Sequence, residues 1–166
     1  VPQNFSMIKD EFSLPNKNKY ICDYPKIIPY GNNKIPVKLP INNISLWWCC
    51  SAEKYIIPNI MLEINVILKN KNITCKNKLL AEIYLEYVNY LINADLYNVN
   101  LTSYIASINE SDNGFYIGID GYPEKFADVL ELLLSGLNLH GKITESIFNH
   151  IKEKIIEHYR NNECHK

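Results

Sequence analysis

The stretch formed by residues 81–125 constrains the fold of this chain more than any other. At its start, apolar residues recur every three or four positions, the period of an α-helix, at Leu80, Ile83, Tyr84, Tyr87, Val88 and Leu91. Apolar residues then alternate on both sides of Asp112-Asn113-Gly114, at Tyr104, Ala106, Ile108, Phe115, Ile117 and Ile119. Alternation predicts strands, and Asn-Gly between two strands predicts a hairpin, because both residues can take positive φ. The stretch therefore predicts a long helix followed by a β-hairpin.

The flanking sequence predicts the remaining elements. The β-branched and aromatic residues at 44–50 predict one strand, and alternating apolar residues at 60–69 predict a second strand with one wet face. Thr74 is positioned to cap the long helix, Pro123 to open a shorter helix and Thr144 to cap a last one. This order predicts an α+β fold of two layers, an antiparallel-rich sheet with helices packed on one face.

Composition limits the size of the fold and the class of partner. A chain of 166 residues, 47% of them hydrophobic, can bury one core. The net charge of −1 gives no global field to attract nucleic acid or an anionic membrane, so neither is expected as a partner. No apolar run approaches the roughly 18 residues that indicate a transmembrane helix.

The cysteines and the termini bear on the compartment. Five cysteines, an odd number without a CxxC motif, favour free thiols and a cytoplasmic location. Asn-x-Ser/Thr sequons leave a secretory location open, at Asn4, Asn43, Asn72, Asn100 and Asn109. The N-terminus has neither an initiator Met nor the pattern of a signal peptide, which suggests a chain cut from a longer one.

Proline divides the chain into two parts. Six of the eight prolines lie in residues 1–42, where they prevent any long helix. This part is therefore expected to be an extended lead-in or an inter-domain linker. Residues 43–166 are expected to form a single α+β domain.

Several local motifs occur in an order that identifies a family. They are LPNKNKYI at 14–21, LWW at 46–48, KYIIPNIMLEI at 54–64, YLEY at 84–87 and Gly121-Tyr122 at the end of the hairpin. Over most of residues 10–163 this order resembles the insulysin/pitrilysin (insulinase-like) zinc metallopeptidase family, and within it the noncatalytic middle (third) domain. The segment Cys22-Asp23-Tyr24-Pro25 departs from that pattern, because the family has Pro-x-Asn/Asp-Phe there.

The resemblance implies a role within a larger enzyme. Such peptidases contain four domains of related topology in two halves that enclose a chamber. This chain would form chamber wall and inter-domain contacts for peptide degradation, with the remaining domains of the same polypeptide and the peptide substrate as partners. The resemblance also implies that the domain is truncated at its C-terminus, because a complete third domain would continue with further helical sequence.

The zinc motif of the family is missing from this chain. The active domain of the family carries His-x-x-Glu-His on the helix after its second strand, where two His side chains bind the metal and Glu polarises water. Here the equivalent helix begins at residues 76–82 and contains no His. His150 and Glu153 spell the first part of the motif on another helix, but Lys154 replaces the second His, so a solvated helix face is favoured. We therefore expect no catalytic residue and no metal ligand here, with zinc on another domain of the full-length enzyme.

The long helix provides the candidate interface. Its apolar stripe covers more of the helix circumference than one sheet needs, so Tyr84, Tyr87 and Tyr90 are expected to contact neighbouring domains, or to cause self-association of the isolated piece. A free-standing protein-interaction module of the same fold, with no peptidase partner, is the alternative. A His-x-x-Glu-His motif encoded several hundred residues upstream of Val1 would discriminate between the two.

Overall fold

The computed structural model describes residues 16–25, 35–50, 58–67, 74–111, 113–138 and 143–164. Within these residues the strands are β1 (Val37–Leu39), β2 (Leu46–Trp48), β3 (Ile60–Ile67), β4 (Ile105–Ser111) and β5 (Gly114–Gly121). The α-helices are α1 (Cys75–Asn100), α2 (Phe126–Asn138) and α3 (Glu145–Cys164), and a 3-10 turn at Pro123–Lys125 leads into α2.

The main sheet contains three antiparallel strands in the order β3-β5-β4. Its register places Ile117 of β5 opposite both Ile64 of β3 and Ile108 of β4. The predicted hairpin is confirmed, since Ser111 pairs with Gly114 across the turn. Gly114 does not use the positive φ that an Asn-Gly pair permits. Gly114 instead begins β5 as a paired residue.

A second, two-stranded sheet joins the lead-in to the following strand. In it β1 pairs antiparallel with β2, with Lys38 opposite Trp47. Sequence reasoning did not predict β1, because Pro36 and Pro40 flank it. Both prolines lie just outside the three paired residues, where a missing backbone N–H removes no ladder bond.

The long helix begins and ends with satisfied backbone groups. The Thr74 hydroxyl accepts a hydrogen bond from the Asn77 N–H at 3.3 Å, which confirms the predicted cap. At the other end the Leu101 N–H donates to the Tyr97 carbonyl at 3.0 Å. Between them α1 packs on β4 and on α2, and α2 packs on β5, so both helices lie on the same face of the sheet. The α+β prediction of a sheet covered by helices on one face is confirmed.

The core lies between the sheet and these two helices. Its largest fully buried side chains include Tyr20, Tyr104, Ile108, Ile117, Ile119 and Leu133. Tyr20 belongs to the lead-in, and Asn18 beside it donates to the Asn98 carbonyl of α1 at 2.6 Å. Residues 16–25 therefore lie on the body of the domain, while a domain boundary at residue 42 stays a prediction.

Helix α3 packs against α1. Ile151 and Ile155 form a second small core with Tyr87. Lys154 pairs with Glu86, and the Tyr159 hydroxyl donates to Glu82 at 2.9 Å. In the described segments, no helix is both long enough and apolar enough to cross a membrane.

Candidate functional site

The residues that imitate a zinc motif lie apart from any cluster of ligands. His150, Glu153 and Glu157 are all exposed on α3. Across the described segments, no group of three His, Cys, Asp or Glu side chains comes close enough together to hold a metal ion. The first turn of α1, where the family's motif would lie, presents Lys76, Asn77 and Lys78. That the chain itself binds no zinc stays a prediction.

The three candidate interface tyrosines have three different environments. The Tyr84 hydroxyl donates to the Leu137 carbonyl of α2 at 2.6 Å, and its ring lies 6.2 Å from that of Phe115. Tyr87 is 8% exposed, because it packs in the small core beneath α3. Tyr90 is 50% exposed. The expectation that all three leave apolar surface uncovered is therefore corrected for Tyr84 and Tyr87, and the interface itself stays a prediction.

The C-terminal half of α1 presents an apolar strip that we call the α1 stripe: Tyr90, Tyr97 and Leu101. Their exposed fractions are 50%, 62% and 63%. Spacings of seven and four residues place the first two and the cap residue on one side of the helix. The hydrogen bonds from α3 reach α1 at Glu82 and Glu86, closer to its N-terminus, so the α1 stripe lies beyond them. Of these three residues, Tyr90 belongs to the interface predicted from the sequence, and Leu101 lies beyond the last helical residue as its cap.

The sheet presents a second surface on the side away from the helices, which we call the outer sheet face. Its members alternate with the core residues along each strand: Met61, Glu63, Asn65 and Ile67 on β3, Tyr116, Gly118 and Asp120 on β5, and Ile105, Ser107 and Asn109 on β4. Met61, Ile67 and Ile105 are 67%, 72% and 71% exposed. Apolar side chains therefore lie at the corners of this face, with polar groups between them.

Carboxylates supply the charge on the outer sheet face. Partial desolvation, followed by a hydrogen bond to Glu63 and its negative charge, raises the pKa of the Tyr116 phenol. The Tyr116 ring leans over Gly118, where an added Cβ would lie 3.0 Å from Tyr116 Cε1. Asp120 Oδ1 accepts a long hydrogen bond of 3.4 Å from the Asn59 amide. The strands of the sheet contain no Lys, Arg or His.

A small cavity lies where the lead-in meets the α1–β4 connection. It has a volume of about 230 Å³ and lies between Ile21, Cys22, Ser103 and Tyr122. The Cys22 thiol donates to Glu124 Oε2 at 2.8 Å. Desolvation, and then the hydrogen bond and charge of Glu124, raise the pKa of this thiol. A thiol that stays protonated is a poor nucleophile and a poor metal ligand, so the cavity does not have the chemistry of a reactive cysteine site.

Comparison with known proteins places this geometry in a family. A family model described as the middle or third domain of peptidase M16 matches residues 3–166. Insulin-degrading enzyme from Homo sapiens is 22% identical over 156 residues, which are 93% of this chain and 15% of that protein. The A-factor-processing enzyme from Saccharomyces cerevisiae is 22% identical over 152 residues, 90% of this chain and 15% of that protein.

A solved structure of pitrilysin has the same fold. It matches with a TM-score of 0.73 and 21% identity, covering 87% of this chain and 16% of the pitrilysin chain. The chain thus spans about one sixth of the length of each relative that it matches. The chain belongs to the peptidase M16 family, as its middle or third domain.

Proposed function

We propose that this chain acts as the noncatalytic middle domain of an insulysin-like zinc metalloendopeptidase, in which it forms part of the chamber wall and docks against the remaining domains. The observation that carries this proposal is the match of the family model to residues 3–166, together with the absence of a His-x-x-Glu-His motif from the sequence. In this role zinc and the groups that cleave the peptide belong to another domain. This chain contacts the peptide substrate through its surface and supplies no group that cleaves it.

The exposed apolar surfaces support a docking role. The α1 stripe leaves Tyr90, Tyr97 and Leu101 at least half exposed. Large apolar side chains that are exposed on one side of a helix are candidates for an interaction site. Tyrosine suits such a surface, because its ring supplies apolar area while its hydroxyl finds a polar partner. We therefore assign the α1 stripe as a surface that docks on a neighbouring domain.

The test uses paired substitutions on the isolated chain. Tyr90→Ser with Tyr97→Ser removes both rings from the α1 stripe at little cost in helix propensity. Tyr24→Ser is the matched control, since Tyr24 is 78% exposed in the lead-in, outside α1. Sedimentation velocity at about 100 μM, a concentration suited to micromolar contacts, measures self-association alone and binding to the separately produced remainder of the parent.

The double variant is expected to weaken association with the remainder or with itself, and the control is expected to leave it unchanged. A wild-type chain that stays monomeric and does not bind the remainder would contradict the docking role. If no His-x-x-Glu-His is encoded upstream, the alternative of a free-standing interaction module replaces the peptidase role.

We also propose a cytoplasmic location, supported by the odd number of cysteines and the lack of a CxxC motif, which favour free thiols in a reducing compartment. Intact-protein mass spectrometry of the natural protein tests this. Reduced cysteines and unmodified sequons are expected, and a glycan at exposed Asn43 would contradict the proposal.

A further inference from the structure

One row of the outer sheet face places a carboxylate between two exposed apolar side chains. Asp120 on the central strand pairs with Met61 on one side and with Ile105 on the other. Side chains directly opposite one another in an antiparallel sheet have Cβ atoms about 5 Å apart, so the carboxylate lies between the two apolar side chains. Met61 and Ile105 are 67% and 71% exposed, and Asp120 is half-buried between them.

The charged side chains that the strands place on this face are all negative. Glu63 in the next row adds a second carboxylate, and no Lys, Arg or His in the three strands balances either one. Among the described residues, Asp120 accepts a single long hydrogen bond, from the Asn59 amide at 3.4 Å. A cation is therefore the complementary group. An aliphatic stem that ends in a charge also matches the row, because Lys and Arg lay their methylenes on apolar surface while the head group reaches a polar partner.

The size of the outer sheet face limits what can cover it. Three strands about 4.8 Å apart, each seven or eight residues long at about 3.3 Å per residue, cover about 300 Å² on one side. A face of this width and length matches one short extended segment of polypeptide laid across the strands.

We propose that the outer sheet face binds an extended peptide through a Lys or Arg side chain whose stem lies between Met61 and Ile105 and whose cation pairs with Asp120. The inference rests on the proposed function for the identity of this peptide, which is then a substrate held in the chamber of the parent enzyme. Glu63 provides a second, weaker attraction one row away, where the Tyr116 ring lies over Gly118.

The test is an NMR titration of this chain with a matched pair of peptides. The first is acetyl-Val-Thr-Leu-Arg-Leu-Thr-Val-amide, and the second replaces Arg by citrulline, which keeps the shape and removes the charge. Methyl resonances of Met61 and Ile105 report binding at the row. Asp120→Asn removes the carboxylate charge with little change in size. Glu131→Gln is the control, because it removes the charge of an exposed carboxylate on α2, away from the outer sheet face.

The Arg peptide is expected to shift both methyl resonances and to bind about 2- to 5-fold more tightly than the citrulline peptide, which is the range for one exposed ion pair. Asp120→Asn should abolish this preference, and Glu131→Gln should preserve it. Equal affinity for the two peptides, a preference that survives Asp120→Asn, or an absence of shifts at these methyl groups would overturn the inference. Such a result leaves the docking role of the α1 stripe to its own sedimentation test, so the two failures are distinguishable.

Discussion

Gly121→Ala is expected to destabilise this fold more than the addition of a methyl group at the other described glycines. Gly121 ends β5, where its backbone lies directly against the ring of Tyr104. A Cβ on Gly121 would lie 2.1 Å from Tyr104 Cδ1 and 2.6 Å from Cε1. The Tyr104 ring is 1% exposed, and its hydroxyl donates to the Tyr122 carbonyl at 2.7 Å and accepts from the Lys125 N–H at 3.0 Å. The ring therefore cannot move aside without losing these hydrogen bonds.

The expected cost of Gly121→Ala is the sum of three effects. Overpacking a well-filled core costs about 1–3 kcal/mol, and each hydrogen bond lost from Tyr104 adds about 0.5–1.5 kcal/mol. Alanine returns about 0.5–1 kcal/mol relative to glycine within a strand, because Gly121 does not need positive φ. We expect the free energy of unfolding to fall by about 1–5 kcal/mol, with a central value of about 3 kcal/mol.

Gly118→Ala is the matched control in the same strand. Its added Cβ would lie 3.0 Å from Tyr116 Cε1, at the far end of a side chain on the outer sheet face that can turn away. We expect a change within about 1 kcal/mol. Urea unfolding followed by circular dichroism should separate the two variants by about 1 M in midpoint, for a slope of about 2 kcal/mol per M. Equal midpoints for the two variants would refute the argument that hydrogen bonds hold the Tyr104 ring in place against the added methyl group.

Three further outcomes are expected. Tyr20→Ala should lower the free energy of unfolding by about 3–5 kcal/mol in the same urea assay, because a buried aromatic ring is removed; a loss below about 1 kcal/mol would show that the lead-in is not part of the core. Glu124→Gln should lower the pKa of the Cys22 thiol, so its alkylation by iodoacetamide, followed by mass spectrometry, should begin at lower pH; an unchanged pH profile would contradict the assigned contact. The isolated chain should retain no zinc after chelator dialysis, by atomic absorption, and should cleave no fluorogenic peptide; turnover that disappears in Glu153→Gln would show that the α3 residues are catalytic.

Apolar periodicity predicted most of the helices and strands, because the period depends on which side of a single helix or strand is buried. Alternation at Ile117 and Ile119 predicted β5, since these side chains face the helices and their neighbours face outward. Thr74 and Thr144 predicted two helix starts, and both hydroxyls accept the expected backbone N–H. The motif order also led to the correct family, since the third-domain model matches the chain from residue 3.

Contacts between distant segments could not be predicted in the same way. The apolar period of α1 marks Tyr84, Tyr87 and Tyr90 as equivalent, yet the first bonds to α2, the second lies beneath α3 and the third is exposed. A helical stripe shows that residues share a side of the helix, but it does not show which element covers each one. The burial of Tyr20 could not be predicted either. This residue lies in a proline-rich lead-in, where no periodic pattern of apolar residues marks it as part of the core.

The outer sheet face depended on register, which the sequence alone does not give. Met61, Asp120 and Ile105 are far apart in the chain, and only the pairing of β3 and β4 with β5 places them in one row. A shift of one residue in either strand would turn its side chains to the other face of the sheet. No spacing in the sequence could therefore have predicted the carboxylate between two apolar side chains.

The proposed role of this chain is that of a noncatalytic domain that completes a zinc peptidase. The most direct measurement mixes the purified chain with the separately produced remainder of its parent polypeptide and follows cleavage of a fluorogenic peptide. We predict no cleavage by the chain alone, and cleavage by the mixture that exceeds cleavage by the remainder and falls with the Tyr90→Ser, Tyr97→Ser variant. A remainder that is fully active alone and unaffected by the added chain would contradict the account.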